Sequence, residues 1–237
     1  MKEFLIVANL KTGMLTHDLG PYLNIINQCN VPNLVICPTA IYVPYFLKHS
    51  YKVGLQDIFY ESSISCTGEI TPKQAKSIGI TYVMIGHSQK KKTNELDSDI
   101  NKKVIESLDH GLKVILCVGE TLVEKNMMKT SVVIKKQLAH ALRNVSSFEN
   151  ILIAYEPIWA IETGKIPSNQ DITSVVSYIK QIVYELYNYD DVNVIYGGSI
   201  NENNIELISK ITNICGVLVG TSALDANKLL KIIEKCK

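Results

Sequence analysis

Short runs rich in apolar and β-branched residues alternate along the chain with longer segments of mixed polarity. Eight runs predict strands, at residues 4–8, 34–37, 52–56, 81–85, 113–118, 151–155, 192–196 and 217–219. Most of these runs are continuously apolar. Continuous apolar strands are typical of a parallel sheet that is covered on both faces.

The segments between these runs have the periodicity of helices. One helical face carries Ile100, Val104 and Leu108 and ends at Gly111, and Leu229 lies on the apolar face of the last segment. Strand and helix alternate eight times at about 30 residues per unit, which predicts the α/β class and a (β/α)8 barrel.

A doubly wound open sheet is the structural alternative. It is disfavoured because residues 7–13, directly after the first strand, contain one glycine and not the glycine-rich turn of dinucleotide-binding sheets. No linker, low-complexity stretch or charge block interrupts the sequence. We therefore predict a single domain over residues 1–237.

The charge balance excludes binding that depends on a strongly basic surface. Lysine and arginine number 24 against 23 acidic residues, for a net charge of +1. We expect no nucleic-acid or membrane partner, and we interpret the basic run at residues 90–92 as a solvated loop.

Cysteine usage and hydropathy indicate the compartment. The six cysteines form no Cys-x-x-Cys pair and have no histidine nearby at a zinc-ligand spacing; they are Cys29, Cys37, Cys66, Cys117, Cys215 and Cys236. This predicts reduced thiols and no metal site. The N-terminal apolar run is too short for a signal peptide, and no segment has the about 18 apolar residues of a membrane span. We expect a cytoplasmic protein.

Polar residues follow five of the eight predicted strands. Carboxyl ends of barrel strands meet at one rim, where such folds carry their chemistry. The residues placed there are Asn9, Lys11, His87, Glu156 and the turns 197–199 and 220–222. Each has an ordinary explanation alone, as a helix start, an ion pair or a turn. Together they favour acid–base chemistry on a small anionic substrate, with phosphate held by backbone N–H groups of the turns.

These residues occur in motifs that resemble the triosephosphate isomerase family. The most specific is Ala-Tyr-Glu-Pro-Ile-Trp-Ala-Ile at 154–161, followed by Thr-Gly-Lys at 163–165. Further motifs stand at 86–88, 117–120, 196–199 and 218–220 in the family's order. The resemblance extends over essentially the whole chain and implies a TIM barrel.

The resemblance implies interconversion of dihydroxyacetone phosphate and glyceraldehyde 3-phosphate through an enediolate, a reaction of glycolysis and gluconeogenesis that needs no cofactor. Carried over by position, Glu156 is the base, His87 the electrophile, Lys11 the cation near the enediolate and Asn9 a polar contact to substrate. This family is itself the standard example of a glutamate base paired with a neutral histidine.

The resemblance also implies a phosphate site, a lid and a partner subunit. Substrate-binding positions are Glu162, Ser199, Gly220 and Thr221; lid positions are Pro157, Ile158, Trp159, Ala160, Ile161, Thr163, Gly164 and Lys165. Lid closure would exclude water from an enediolate that can eliminate phosphate. Gln56 matches a position that supports Lys11, and Thr67 one that fills the neighbouring subunit's site, so we expect a homodimer through the loop carrying Thr67.

Five positions depart from the family's pattern. Gln89 replaces a glutamate, and Glu162 and Thr221 replace glycines. Lys90 and Lys91 stand where arginines are usual, and we expect Glu69 as a partner of these lysines.

These departures leave two alternatives open. One is an isomerase of another small ketose phosphate, such as a tetrulose phosphate. The other is a catalytically weak paralogue that binds phosphorylated sugars or a protein. A lysine-imine aldolase is disfavoured, because Glu156 occupies the strand end where its lysine would stand.

Overall fold

Parallel strands form a closed barrel in the computed structural model, which describes residues 4–28, 30–93, 95–161 and 163–236. Cys29 and Glu162, both singled out from the sequence, lie outside these ranges. The strands are β1 Leu5–Asn9, β2 Leu34–Cys37, β3 Lys52–Leu55, β4 Tyr82–Ile85, β5 Lys113–Val118, β6 Ile151–Tyr155, β7 Asn193–Tyr196 and β8 Gly216–Val219. Each pairs with the next, and β8 closes onto β1 with Val217 opposite Ile6. The predicted (β/α)8 barrel is confirmed, and the predicted strand bounds are correct to within one residue.

Helices surround the barrel, but less evenly than one per strand. Within the described ranges they are α1 Thr16–Ile26, α2 Val43–Phe46, α3 Pro72–Ser77, α4 Ser88–Lys92, α5 Asp97–Asp109, α6 Leu122–Asn126, α7 Thr130–Ala141, α8 Asn169–Tyr187, α9 Ile205–Ile208 and α10 Ala226–Lys235. Two helices therefore follow β4 and two follow β5, whereas α2 and α9 are single turns. The basic run at residues 90–92, interpreted from the sequence as a loop, lies in α4. No helix in those ranges has the length and apolar character needed to cross a bilayer.

Alternate strand residues fill the barrel interior. Val7 on β1 and Ala154 on β6 belong to an interior cluster, while Ile6 packs in the layer between strands and helices. Side chains point to opposite faces at successive positions of a strand. The interior series therefore continues, two residues on, at Asn9 and Glu156. Both are buried polar residues at the carboxyl rim.

A buried ionic cluster joins α5 to the end of β3. The Nζ atom of Lys103 lies 2.6 Å from Asp57 Oδ1 and 2.5 Å from Glu95 Oε1. Burial disfavours the charged lysine, but hydrogen bonds and charge from the two carboxylates outweigh it and raise the pKa of Lys103. Lys90 also pairs with Asp57, at 2.7 Å, where we expected Glu69. The reason is that α4 follows β4, the barrel neighbour of β3.

Removing the cation of this cluster should destabilise the fold. Lys103→Ala leaves two carboxylates with reduced compensation, and we expect the free energy of unfolding to fall by about 3 kcal/mol or more. Lys210→Ala is the matched control, since Lys210 pairs with Glu206 on the exposed surface and should contribute no more than about 0.5 kcal/mol. Urea unfolding measures both. Equal losses in the two variants would contradict the role given to the buried cluster.

Candidate active site

A cavity of about 470 Å³ opens at the carboxyl ends of the strands. Its volume lies in the range of small-molecule sites. The predicted site residues that line it are Asn9, Lys11, His87, Glu156, Ile161, Gly164, Ser199, Gly220 and Thr221. The structure thus brings the acid–base groups and both glycine-containing turns to one place.

Lys11 has a left-handed backbone that its neighbours hold in position. Its φ is 49°, a conformation that costs a non-glycine residue about 1–3 kcal/mol. The Lys11 N–H donates to Asn9 Oδ1 at 3.0 Å, and its carbonyl accepts from Thr39 Oγ1 at 2.7 Å and Gln56 Nε2 at 2.8 Å. Gln56 contacts Lys11 as the resemblance implied. Thr39 was missed, although it stands two residues after Cys37 in the interior series.

His87 and Glu156 form a buried pair. The backbone N–H of Gln89 donates to His87 Nδ1 at 3.3 Å, because His87 directly precedes α4. With Nδ1 as an acceptor, the proton of a neutral imidazole lies on Nε2. That Nε2 is 3.5 Å from Glu156 Oε1. The imidazole can therefore present a donor close to the carboxylate.

Glu156 combines close packing with an unsatisfied oxygen. Its side chain is buried, and Oε2 has no hydrogen-bond partner among the described residues. A buried carboxylate oxygen without a donor is destabilising and marks a candidate for chemistry. Two glycines make room for this residue. A Cβ at Gly119 would lie 1.8 Å from the Glu156 carbonyl oxygen, and one at Gly197 would lie 2.8 Å from Glu156 Cγ.

Cys117 lies against Glu156 and was not predicted as a site residue. Burial first, and then the charge of Glu156, raise the pKa of its thiol well above the ordinary value. The thiol therefore stays protonated and can hydrogen-bond to the carboxylate. Its interior position on β5, two residues before Gly119, is the sequence signal that could have revealed it.

The turns after β7 and β8 are tied to each other and to the predicted lid. The hydroxyl of Ser199 donates to Ala160 O at 2.6 Å, so this side chain links two loops. Ser222, which also lines the cavity, donates to Ile200 O at 2.8 Å. Gly220 lies beside Lys11, since a Cβ there would make an ordinary van der Waals contact with Lys11 Cε at 3.4 Å. Asn201 also lines the cavity and was missed in the sequence, despite following β7.

The first part of the predicted lid, from Pro157, packs away from the cavity around Trp159. Ile158–Ala160 form a 3-10 turn, and the Trp159 indole N–H donates to Glu120 Oε1 at 2.8 Å. The ammonium of Lys125 lies 3.5 Å from the centre of the indole ring. Burial raises the pKa of Glu120, against the opposing hydrogen bond from Trp159. Glu120 was missed, although it follows β5 at the same rim.

The second part of the lid is more exposed. Thr163 Oγ1 donates to the Trp159 carbonyl at 3.0 Å, and the Lys165 N–H donates to Thr163 Oγ1 at 3.2 Å. Gly164 has φ 72°, which a residue with a side chain rarely adopts. The segment therefore turns through Gly164 while Ile161 reaches the cavity.

A second cavity, of about 710 Å³, adjoins the first and also reaches Asn9, Lys11 and His87. Gln89 lines this second cavity and is exposed. Its backbone, through the N–H that contacts His87, is the part that touches the acid–base pair.

A buried carboxylate and imidazole at the carboxyl rim of a (β/α)8 barrel indicate an acid–base enzyme. The constrained Lys11 beside them suits reactions that develop negative charge on substrate oxygen. Comparison with known proteins narrows this class. The family model described as triosephosphate isomerase matches residues 4–236. The chain belongs to the triosephosphate isomerase family.

Individual relatives match along the whole chain. The protein named triosephosphate isomerase from Alkaliphilus metalliredigens is 41% identical, over 99% of this chain and all of its own length. Those from Thermodesulfovibrio yellowstonii and Alkaliphilus oremlandii are 36% and 35% identical, with the same coverage.

A side chain at Gly119 should disturb the position of Glu156. Gly119→Ala would force the Glu156 backbone to move, and we expect the free energy of unfolding to fall by about 2 kcal/mol or more. Gly20→Ala is the control, because Gly20 is in α1 with open space around it and should gain about 0.5–1 kcal/mol. Guanidinium unfolding measures both changes, and a Gly119→Ala protein as stable as the parent would contradict the packing described.

Proposed function

We propose that this protein interconverts dihydroxyacetone phosphate and D-glyceraldehyde 3-phosphate. Membership of the triosephosphate isomerase family and full-length relatives of that name support this activity. The observation that carries it is the buried pair of Glu156 and His87, with His87 Nε2 at 3.5 Å from the carboxylate. This pair places a base, Glu156, next to a hydrogen-bond donor, His87.

In the proposed mechanism Glu156 first removes a proton from C1 of dihydroxyacetone phosphate. The electrons of that C–H bond form the C1–C2 double bond, and negative charge develops on O2. The Nε2–H of His87 donates to this oxygen, because the Gln89 N–H fixes the proton on that side of the ring. The Lys11 ammonium stabilises the same charge.

The second half-reaction returns the proton to the other carbon. His87 supplies a proton to O2 and takes one from the O1 hydroxyl, while Glu156 delivers its proton to C2. The C1–O1 bond becomes the aldehyde carbonyl. Protons move but none is gained or lost overall, and no electrons leave the substrate, so the scheme requires no redox cofactor.

The remaining predicted residues would bind and enclose the substrate. Asn9 Oδ1 accepts a hydrogen bond from the Lys11 N–H, and Asn9 lines the cavity. We assign the phosphate to the turns containing Ser199, Gly220 and Thr221, which line the same cavity. Since the Ser199 hydroxyl donates to Ala160, we assign its phosphate contact to the backbone N–H. Closure of residues 157–165 would exclude water.

Replacing the base should abolish most of the activity without unfolding the protein. Glu156→Gln keeps the shape but cannot accept the proton, and we expect kcat to fall about 10²–10⁴-fold. The free energy of unfolding should be unchanged or higher, since a buried charge is removed. A coupled assay with glyceraldehyde 3-phosphate measures this, and near-parental kcat would eliminate Glu156 as the base.

Gln89→Glu is the matched control, because it restores a carboxylate near the site and leaves the backbone N–H to His87 in place. We expect kcat/KM to stay within about tenfold of the parent, or to rise. The same assay with erythrose 4-phosphate tests substrate size. A higher kcat/KM for this four-carbon substrate would contradict the proposed activity in favour of a tetrulose phosphate isomerase.

We also propose a homodimer through the loop carrying Thr67. Thr67 is exposed, and Ile64 of the same loop exposes half of an apolar side chain. The second cavity, open beside Lys11 and His87, offers a site for such a loop from a partner subunit. A partner loop there would border the catalytic groups, which supports a dimer as the active form.

Thiol labelling should reveal this dimer. Cys66 precedes Thr67 and is exposed in the single chain, so its reaction with a maleimide should slow as protein concentration rises and subunits pair. Cys37 is the control, because burial raises its pKa to about 12 and it should stay unreactive throughout. Sedimentation velocity gives the mass directly. A fully active monomer would contradict the proposed assembly.

Two broader assignments complete the proposal. We propose that residues 1–237 form one domain, because strands from both ends of the chain pair in the barrel. We place the enzyme in the cytoplasm, since free cysteines, among them Cys37, Cys117 and Cys215, are typical of a reducing compartment.

A further inference from the structure

Apolar side chains protrude from the corner where α6 meets α7. Within the stretch 122–132, five of them are 47 to 90% exposed, and we call these five the apolar corner: Leu122, Val123, Met127, Met128 and Val132. Single exposed apolar residues are ordinary on protein surfaces, but a group in one place indicates an interaction site.

Met128 is the most unusual member of the apolar corner. Its φ is 57° and its side chain is 90% exposed. Glycine is the residue favoured in this backbone conformation. A methionine here strains the backbone and also exposes apolar surface to water, so it stabilises the isolated chain in neither respect. A contact outside the chain would account for it.

The charges around the apolar corner are mainly positive. Lys129 lies within this stretch and Lys135 and Lys136 follow it on α7, and all three are exposed. The nearby carboxylate of Glu124 is engaged locally, because it accepts from the Thr121 N–H at 2.8 Å. A second copy of the chain docked on this surface would bring lysines close to lysines. The charge pattern therefore favours an anionic occupant.

The shape of the apolar corner favours a surface over a peptide. Side chains that lie in a groove are shielded by its walls, whereas these protrude from a helix–helix turn. Protruding apolar side chains beside lysines suit the boundary between lipid headgroups and acyl chains. We propose that the apolar corner docks the protein onto an anionic lipid surface, with the lysines at the phosphates.

This docking is compatible with the near-neutral composition. From the net charge of +1 we expect no membrane partner, but this net charge is a property of the whole chain and not of one surface. The lysines beside the corner act within about 10 Å, the distance over which salt screens charges. The inference does not depend on the isomerase activity proposed above, so either can fail alone.

Cosedimentation with vesicles tests the proposal on the full chain. Vesicles of equal parts phosphatidylcholine and phosphatidylglycerol should bind at least about tenfold more protein than phosphatidylcholine alone, given three lysines at the surface. The double variant Met127→Ser, Met128→Gly should lose at least about fivefold of this binding; glycine suits the backbone at 128. Leu207→Ser is the matched control, an exposed leucine on α9, and should bind as the parent does. An unchanged far-UV circular dichroism spectrum and an unchanged urea midpoint would show that each variant is folded.

Four outcomes would overturn the proposal. Equal binding to neutral and anionic vesicles would show that the lysines do not contribute to binding. Binding by the double variant as strong as that of the parent would show that the two methionines do not contribute. Equally strong binding to soluble polyglutamate would assign the corner to an acidic protein. A larger assembly in sedimentation velocity that only the double variant loses would assign it to a second copy of the chain.

Discussion

The alternation of side chains along the barrel strands is the constraint on which the rest of the structure depends. Residues such as Val7 and Ala154 fill the interior, so the barrel encloses packed side chains and not a pore. The next positions of the same series, Asn9 and Glu156, must then lie at the carboxyl rim, directly above these packed side chains. Their burial is a direct result of this geometry. A polar group there is surrounded by protein on all sides except the cavity, where electrostatic interactions are stronger than in water.

Such a site is stable only because specific neighbours satisfy most of its polar groups. Three hydrogen bonds hold the left-handed backbone of Lys11. The Lys11 N–H donates to Asn9, and the Lys11 carbonyl accepts from Thr39 and Gln56. The ring of His87 accepts from the Gln89 N–H on one side and lies against the Glu156 carboxylate on the other. Glu156 Oε2 and the hydroxyl of Tyr196 are left without a hydrogen-bond partner among the described residues. The free energy that this arrangement sacrifices is small beside the burial of the two apolar layers, and it leaves this carboxylate oxygen free to accept from a ligand.

Much of this organisation is readable from the sequence. Continuous apolar runs locate the strands to within a residue, and the strand-end rule finds His87 and Glu156 without any knowledge of pairing. Residues whose role depends on spatial neighbours were not predicted. Thr39 and Cys117 contact residues at the end of a neighbouring strand, and Glu120 contacts Trp159, which follows β6. The predicted ion-pair partner of Lys90, Glu69, was wrong for the same reason, because the order of strands in the barrel decides whether Asp57 or Glu69 lies near Lys90. The left-handed backbone at Lys11 could not be predicted either, because the residue with positive φ is not a glycine.

The position of Trp159 has a practical consequence. It is the chain's single tryptophan, and its indole lies between the Glu120 carboxylate and the Lys125 ammonium. Movement of the lid would carry the ring away from both charges at once. Its intrinsic fluorescence would therefore report a movement of that one loop, free of background from other indoles, and would serve as a built-in optical probe of the proposed closure.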